Sequence, residues 1–444
     1  MLLIGNGRMI THDQNAPYWP DGCVAVENGL IIEVGETDAL KAKYAGAVFY
    51  DAMRRIIMPG LINTHTHIYS AFARGLSLTQ ARPNRNFLDI LNNLWWRIDK
   101  ALNERDIRFS AFSTALESVR CGVTTIFDHH ASPCHARGSL FAIAEALTEI
   151  GLRASLCYEV SDRDGAAAAN AGICENIAFM DHAALYGGDM LKGMFGLHAS
   201  FTLSAKTLEE CLAAKGARET GFHIHVAEDA ADVEDSLKKY GLRVAERLYK
   251  AGVLGKKTLA VHGVHLHEAE MDILRDTDTM VIHNPESNMG NAVGCAAALT
   301  MVEKGVLVGL GTDAYTQDMF ESLKAANIIH KHHLHNPSVG FMESLKMLFI
   351  NNSAICSRFF TRPLGILAAG AAADIIVADY DTHTPLDQDT LAGHIMFGLS
   401  GRAVDSVIIN GRFVIKERQI QTVDEQAILA QAREQAADLW RRIR

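Results

Sequence analysis

The chain has 444 residues, 48% hydrophobic and 21% charged, with 42 basic and 52 acidic side chains and a net charge of −10. That length calls for several domains, or for one large barrel with an addition. An apolar fraction at the globular average with only 9 prolines excludes disorder as the main state, and the acidic balance argues against a nucleic-acid partner. The 8 cysteines, from Cys23 to Cys356, are scattered without a C-x-x-C pair, which predicts reduced thiols in a cytoplasmic protein. No apolar run reaches the length of a membrane span, so no membrane partner is expected.

The first segment reads as short strands. Leu2 to Ile4 and Met9-Ile10 flank Gly5-Asn6-Gly7, predicting a hairpin, and Asn28-Gly29 between Val24–Val26 and Ile31–Val34 predicts another. The far end repeats this style. Asp374 to Ala378 reads as a strand, and Asn410-Gly411 sits between Val407–Ile409 and Phe413–Ile415. Two β-rich pieces at opposite ends predict one small sandwich built from both, over residues 1–58 and 359–420. A helix over 421–444 follows, with Asp424 as its cap and Ile428, Leu429, Ala432, Ala436, Leu439 and Ile443 on one stripe.

Between them, residues 59–358 alternate short apolar runs with helical stretches. The runs are Ile56–His67, Val123–Asp128, Ala154–Val160, Gly193–His198, Gly221–Val226, Thr258–His262, Thr279–His283 and Val306–Asp313. Eight strand–helix units predict an α/β fold, a (β/α)8 TIM barrel. A doubly wound sheet is the rival, but the sequence holds no G-x-G-x-x-G and no phosphate-binding P-loop.

Polar residues gather at the C-terminal ends of these runs: His65 and His67, Asp128 and His129, Glu159, His198, His223 and His225, His262, His283 and Asp313. Barrel active sites are built at that rim. His65 and His67 lie two apart on a strand, so both side chains share one face and can hold one divalent cation. His225 and Asp313 can complete the ligand set. Glu228 stands three residues after His225, where a carboxylate can reach over the metal without ligating it, as a proton shuttle must. Asp229 and Asp232 read as acids favoured at a helix start. His262 and His283 can each be a further ligand or a hydrogen-bond donor; His262 reads as the group that orients the attacking water, while His283 stays open between a structural and a substrate-facing role. His330 to His335 reads as a solvated helix end, and His129, His130 and His135 read mainly as structural, with His129 the one that can line the pocket. The segment from Tyr69 to Trp96, with Arg74, Arg82, Asn84, Arg85 and Asn86, reads as a cover over the metal. Tyr69 can stack on a flat ring; Trp95 and Trp96 read as helix–barrel packing.

These motifs resemble a known family. Pro59-Gly60-Leu61-Ile62-Asn63-Thr64-His65-Thr66-His67, His225-Val226-Ala227-Glu228, His262-Gly263, His283-Asn284-Pro285 and Gly311-Thr312-Asp313 are similar to the amidohydrolase superfamily, in its cytosine deaminase and triazine hydrolase branch. Asp128-His129-His130-Ala131-Ser132-Pro133, Leu94-Trp95-Trp96-Arg97 and Gly393-His394-Ile395 resemble the SsnA group of aminohydrolases within it. The resemblance implies metal ligands His65, His67, His225 and Asp313, with Glu228 as acid and base, His262 polarising water and Asp313 taking its proton. It implies substrate contacts at His198 and Asp89. It also implies one ion, Zn²⁺ or Fe²⁺, because no Lys closes a strand where two-metal relatives carry their bridge, and it implies a homo-oligomer, dimer or tetramer. The expected reaction is hydrolytic deamination of a purine- or pyrimidine-like small heterocycle with loss of ammonia. Two alternatives remain: hydrolysis of a cyclic amide or of a chlorinated triazine by the same site, and a non-catalytic binding barrel.

Overall fold

The computed structural model describes residues 1–77 and 83–443. Nine strands from both chain ends join in one hydrogen-bonded sheet. Ile375–Ala378 pairs antiparallel with Ile56–Pro59, setting Ile375 opposite Pro59, and so ties the two ends together. Asn28-Gly29 and Asn410-Gly411 form the expected tight turns, with φ of 52° and 77° at the first and 49° and 76° at the second. The expected hairpin at Gly5-Asn6-Gly7 does not form. Leu2–Ile10 is one strand whose register slips on either side of Gly7, with Asn6 at φ 56°. The positive φ is used for a bulge, which bends the strand without reversing it. Its first half pairs with Val48–Asp51 and its second half with Ile56–Pro59. Ile4, Met9, Val24 and Ile57 from one end and Ile375, Val377 and Ile408 from the other fill one apolar cluster between them.

The middle of the chain forms the barrel. Its strands are β1 Leu61–Thr66, β2 Val123–His130, β3 Arg153–Tyr158, β4 in two pieces Leu191–Gly193 and Phe195–Ala199, β5 Phe222–Val226, β6 Leu259–His262, β7 Met280–His283 and β8 Val308–Leu310. Parallel ladders run from β1 to the first piece of β4, and from its second piece to β8. Parallel bridges Val160 to Leu197 and Thr66 to Asp313 close the ring. Every one of these strands except the first piece of β4 is buried along its length, which is why they read as apolar runs and not as alternating patterns. Gly60 is the joint between sheet and barrel: a Cβ there would lie 2.2 Å from the Thr124 hydroxyl oxygen. Under the barrel, Arg153 grips Asp374 of the terminal sheet through two hydrogen bonds of 3.0 and 3.1 Å, with both side chains buried.

The final helix, Glu425–Ile443, starts where Asp424 accepts from Ala427 N at 3.0 Å. It lies on the helix Glu104–Arg120, and Trp440 Nε1 donates to Phe72 O at 2.7 Å. Among the described residues, no helix is long and apolar enough to cross a membrane. All eight cysteines are free.

Candidate metal centre and active site

The strand ends converge. His65 lies on β1 and His67 just beyond it, with ring centroids 4.8 Å apart. His225 on β5 brings its ring to 5.3 Å from each of them. Asp313, three residues past β8, sets Oδ1 3.2 Å from His67 Nε2 and 3.7 Å from His65 Nε2. One ring nitrogen from each of His65, His67, His129 and His225 lies within 4.8 Å of the others, and so do donor atoms of His65, His262 and Asp313.

The surroundings orient these donors. His67 Nδ1 donates to His129 O at 2.6 Å, which leaves Nε2 facing Asp313. His65 Nδ1 is bonded to His223 Nε2 at 2.9 Å, so His65 Nε2 is buried without a hydrogen-bond partner. An orphaned buried nitrogen is costly unless something binds it. Burial holds His65 and His225 below the ordinary imidazole range and so keeps their lone pairs free. For Asp313, burial raises the pKa, but the His65 and His67 rings, whose Nε2 atoms lie 3.7 and 3.2 Å from Oδ1, outweigh it and hold the carboxyl well below its usual range. Burial likewise opposes charge on His67, yet Asp313 and Glu159, each 3.2 Å away, outweigh it and draw positive charge to that spot. Neutral imidazoles, an ionised carboxylate and an uncompensated demand for positive charge fit a divalent cation.

Glu228 and His262 stand over this cluster. His262 Nε2 lies 3.5 Å from Glu228 Oε2 and 3.7 Å from Asp313 Oδ2. Asn288 Nδ2 donates to His262 Nδ1 at 2.9 Å, so the neutral ring carries its proton on Nε2, the atom that faces both carboxyl groups. Burial pushes His262 down to about 3, which keeps it neutral. For Glu228, desolvation in the pocket and then the Asp313 charge raise the carboxyl well above its usual range. Ser287 donates to Asp313 Oδ2 at 2.5 Å. Ser287 and Asn288 lie just after β7, so the rule that directed attention to strand ends also covers them, although the sequence reading stopped at Pro285.

The pocket above is lined by Tyr69, Phe87, Leu91, Trp95 and Trp96 from the segment after β1, and by Glu159, His198 and Tyr315. It encloses about 70 Å³ open to the centre of a water molecule. The described part of the segment therefore walls the site, and Trp95 and Trp96 both face the pocket while also packing, Trp95 against the main core and both against Phe87 and Leu91. Short helices Phe87–Ile90 and Trp96–Ala101, joined by a π-turn, aim them inward. His198 also lines the pocket, with Nδ1 bonded to Thr202 Oγ1 at 2.8 Å. Asp89 does not line it: its carboxylate accepts from Arg85 N and Nε at 3.0 and 3.1 Å at a helix start. Asp99, ten residues on and buried, is the acid of this segment that lines the pocket. Arg82 lies outside the described residues. His129 is buried among the donors, stacked on His223 at 4.4 Å with 11° between the planes. His130 bonds Ser132 Oγ at 2.9 Å. His283 does not line the pocket, and its ring lies 5.0 Å from that of His330. His330 is buried at 2% exposure, unlike the solvated end expected, because it sits on the inner face of helix Met319–Leu334, whereas His332 and His333 are exposed.

Residues 56–414 match the amidohydrolase family. The chain belongs to that family. It is a hydrolase acting on carbon–nitrogen bonds. A short stretch, residues 22–47, also matches the bacterial imidazolonepropionase-like composite domain. Over 446 residues, 99% of each chain, it is 28% identical to a 5-methylthioadenosine/S-adenosylhomocysteine deaminase of Pelotomaculum thermopropionicum. Over 424 residues, 94% of each, it is 29% identical to a 5'-deoxyadenosine deaminase of Methanobrevibacter smithii. The crystal structure of an adenosine deaminase from Xanthomonas campestris with bound zinc shares the fold at a TM-score of 0.88 and 22% identity, covering 99% of this chain and 98% of that one.

Proposed function

We propose that this amidohydrolase is a metal-dependent deaminase that replaces the exocyclic amine of an adenine-like ring with oxygen and releases ammonia, acting on a small nucleoside or base. The observation that carries the reading is the placement of Glu228 against His262 and Asp313 above the donor cluster. The names of the relatives support the purine ring.

His65, His67, His225 and Asp313 would hold the cation, Zn²⁺ or Fe²⁺. Bound there, it supplies Lewis acidity that brings the pKa of water toward about 7. The remaining steps belong to the protein. Asp313, kept ionised, accepts the proton that water loses. His262 donates from Nε2 to the attacking oxygen and fixes its line of approach. Glu228, kept protonated, gives its proton to the ring nitrogen beside the reacting carbon, so that carbon becomes tetrahedral without building negative charge on the ring. The proton held by Asp313 then passes to the departing amine, and the proton still on the added oxygen passes to the Glu228 carboxylate, so that ammonia leaves, the carbon–oxygen double bond forms and Glu228 is an acid again. Tyr69, Trp95 and Trp96 offer flat faces for the ring.

The test is ammonia release from metal-replete enzyme given adenosine, 5'-deoxyadenosine, methylthioadenosine, adenine, guanine, 8-oxoguanine, cytosine and isocytosine. Turnover of an adenine compound is expected. Chloride release from a chlorinated triazine, with no ammonia from any of these, would overturn the reading.

A further inference from the structure

The ionisable residues lining the pocket are four acids, Asp99, Glu159, Glu228 and Asp313, and three histidines, with no lysine or arginine among the described residues. Among the described residues, the arginines of the segment after β1 are committed elsewhere. Arg85 is turned onto Asp89, Arg74 onto Glu117 at 2.8 Å, and Arg97 donates to Ile443 O at 2.7 Å. One guanidinium does come close. Arg163, whose side chain is 10% exposed, lies 5.1 Å from the ring centre of Trp96, itself a wall of the pocket. Its Nη2 is bonded to Asp99 Oδ2, and its Nε lies 3.2 Å from Asp164. Asp99 is 1% exposed, and its second oxygen has no partner. A cation that could have received an anionic substrate is thus cancelled by an acid from the pocket wall.

We infer that the pocket selects substrates without an anionic group, uncharged or cationic, and that Asp99 is a specificity-determining residue because it neutralises Arg163. The inference rests on the deaminase reading and deepens it. A phosphate or carboxylate that reaches the Trp96 wall of this pocket meets Asp99 and finds Arg163 already paired with it, and like-charge contacts of that kind cost several factors of ten in affinity. Replacing Asp99 by Asn keeps the shape and removes the negative charge, so that Arg163 Nη2 is open to an anion while Asp164 stays beside Nε.

The experiment compares kcat/KM for adenosine, adenosine-5'-carboxylate and adenosine 5'-monophosphate, followed by ammonia release, in the unaltered enzyme and in Asp99→Asn. The unaltered enzyme should favour adenosine over each anion by at least about a hundredfold. In Asp99→Asn that preference should shrink at least about tenfold, whereas a merely structural role would lower all three substrates alike. Comparable turnover of an anion by the unaltered enzyme overturns the inference, even if the variant does not fold. An unchanged ratio in a folded variant overturns the role of Asp99. No ammonia from adenosine, nor from any uncharged compound, refutes the deaminase reading itself and with it this inference.

Discussion

Glu228→Gln is the substitution that isolates proton transfer from everything else in the site. Glutamine keeps the size of the side chain and a hydrogen-bond donor, but it has no proton to release. Desolvation and the Asp313 charge raise the Glu228 carboxyl well above its usual range and so favour its protonated form, an acid for the ring nitrogen. Positioned acid–base groups contribute about 10²–10⁴ in rate. The variant should therefore lose that factor in kcat, equivalent to about 3–5 kcal/mol of barrier at 1.36 kcal/mol per tenfold. Its metal content should not change, because Glu228 is not among the converging donor atoms of His65, His67, His129, His225, His262 and Asp313. The unaltered enzyme should lose activity as rising pH strips the Glu228 proton, and residual activity in the variant should lack that alkaline decline. The assay is ammonia release across pH, with elemental analysis of the same preparations. Normal turnover with full metal content would refute the assignment, and loss of metal along with activity would move Glu228 into the ligand set.

Replacing His65 or Asp313 by Ala should lower bound metal well below that of the unaltered protein by elemental analysis; unchanged stoichiometry would contradict their role as ligands. Trp96→Ala removes one flat wall of the pocket, and KM should rise about tenfold with a smaller change in kcat, since stacking of a base on an aromatic ring contributes about 1–3 kcal/mol. Asp374→Ala leaves the Arg153 guanidinium buried without its carboxylate, at a cost of about 3–5 kcal/mol in urea unfolding if the two-bond grip ties barrel to sheet as the geometry indicates. His130 is held neutral by burial, with its pKa pushed down to about 3 against 6.5 for the free side chain. Below pH 6.5 the unfolded chain takes up a proton that the folded one refuses, so stability falls with acid until about pH 3. His130→Asn should reduce that slope by about 1.4 kcal/mol per pH unit, read from urea unfolding between pH 6 and 4.

How far the sequence discloses this molecule depends on how local the signal is. The barrel strands were legible because a strand buried on both faces must be apolar along its length, and eight such runs recur with helical stretches between them. His65 and His67 were legible because strand periodicity alone puts them on one face. The bulge at Asn6 was not, because a positive φ at Asn serves a hairpin and a bulge equally; only the pairing of Leu2–Ile10 with two different strands decides. That Trp95 and Trp96 also face the pocket was not legible for a related reason: a five-residue π-turn and a helix of six residues have no stripe long enough to tell an inner from an outer face. Asp89 and Asp99 are both acids on short helical turns after β1, and only the bend between those helices turns one onto Arg85 and the other into the pocket wall. His330 was misread because its run of histidines looks uniformly solvated, whereas a helix alternates its faces within one turn.

Backbone strain explains why the groups of the proposed mechanism stand where they do. Ala227, His262 and Asp313 have φ of 48°, 76° and 56°, values that cost a residue with a side chain of order 1–3 kcal/mol. The three positions lie at or just past the ends of β5, β6 and β8 on the rim, and each carries or adjoins a group of the proposed mechanism. A strand that continued in extended form would carry its next side chain outward along the barrel wall. A left-handed residue instead breaks the alternation, so Glu228 turns back over His225, and Asp313 turns across to His65 and His67. Neighbouring hydrogen bonds hold the strained turns in place: Asp313 N and Thr312 N both donate to His65 O, at 3.0 and 3.1 Å, and Ala227 N donates to Asp232 at 3.0 Å. Asp232, read from the sequence as an acid that merely favours a helix start, is buried and secures the turn that aims Glu228. The fold thus accepts local strain at three strand ends, and the single convergence of imidazoles and carboxyl groups depends on all three.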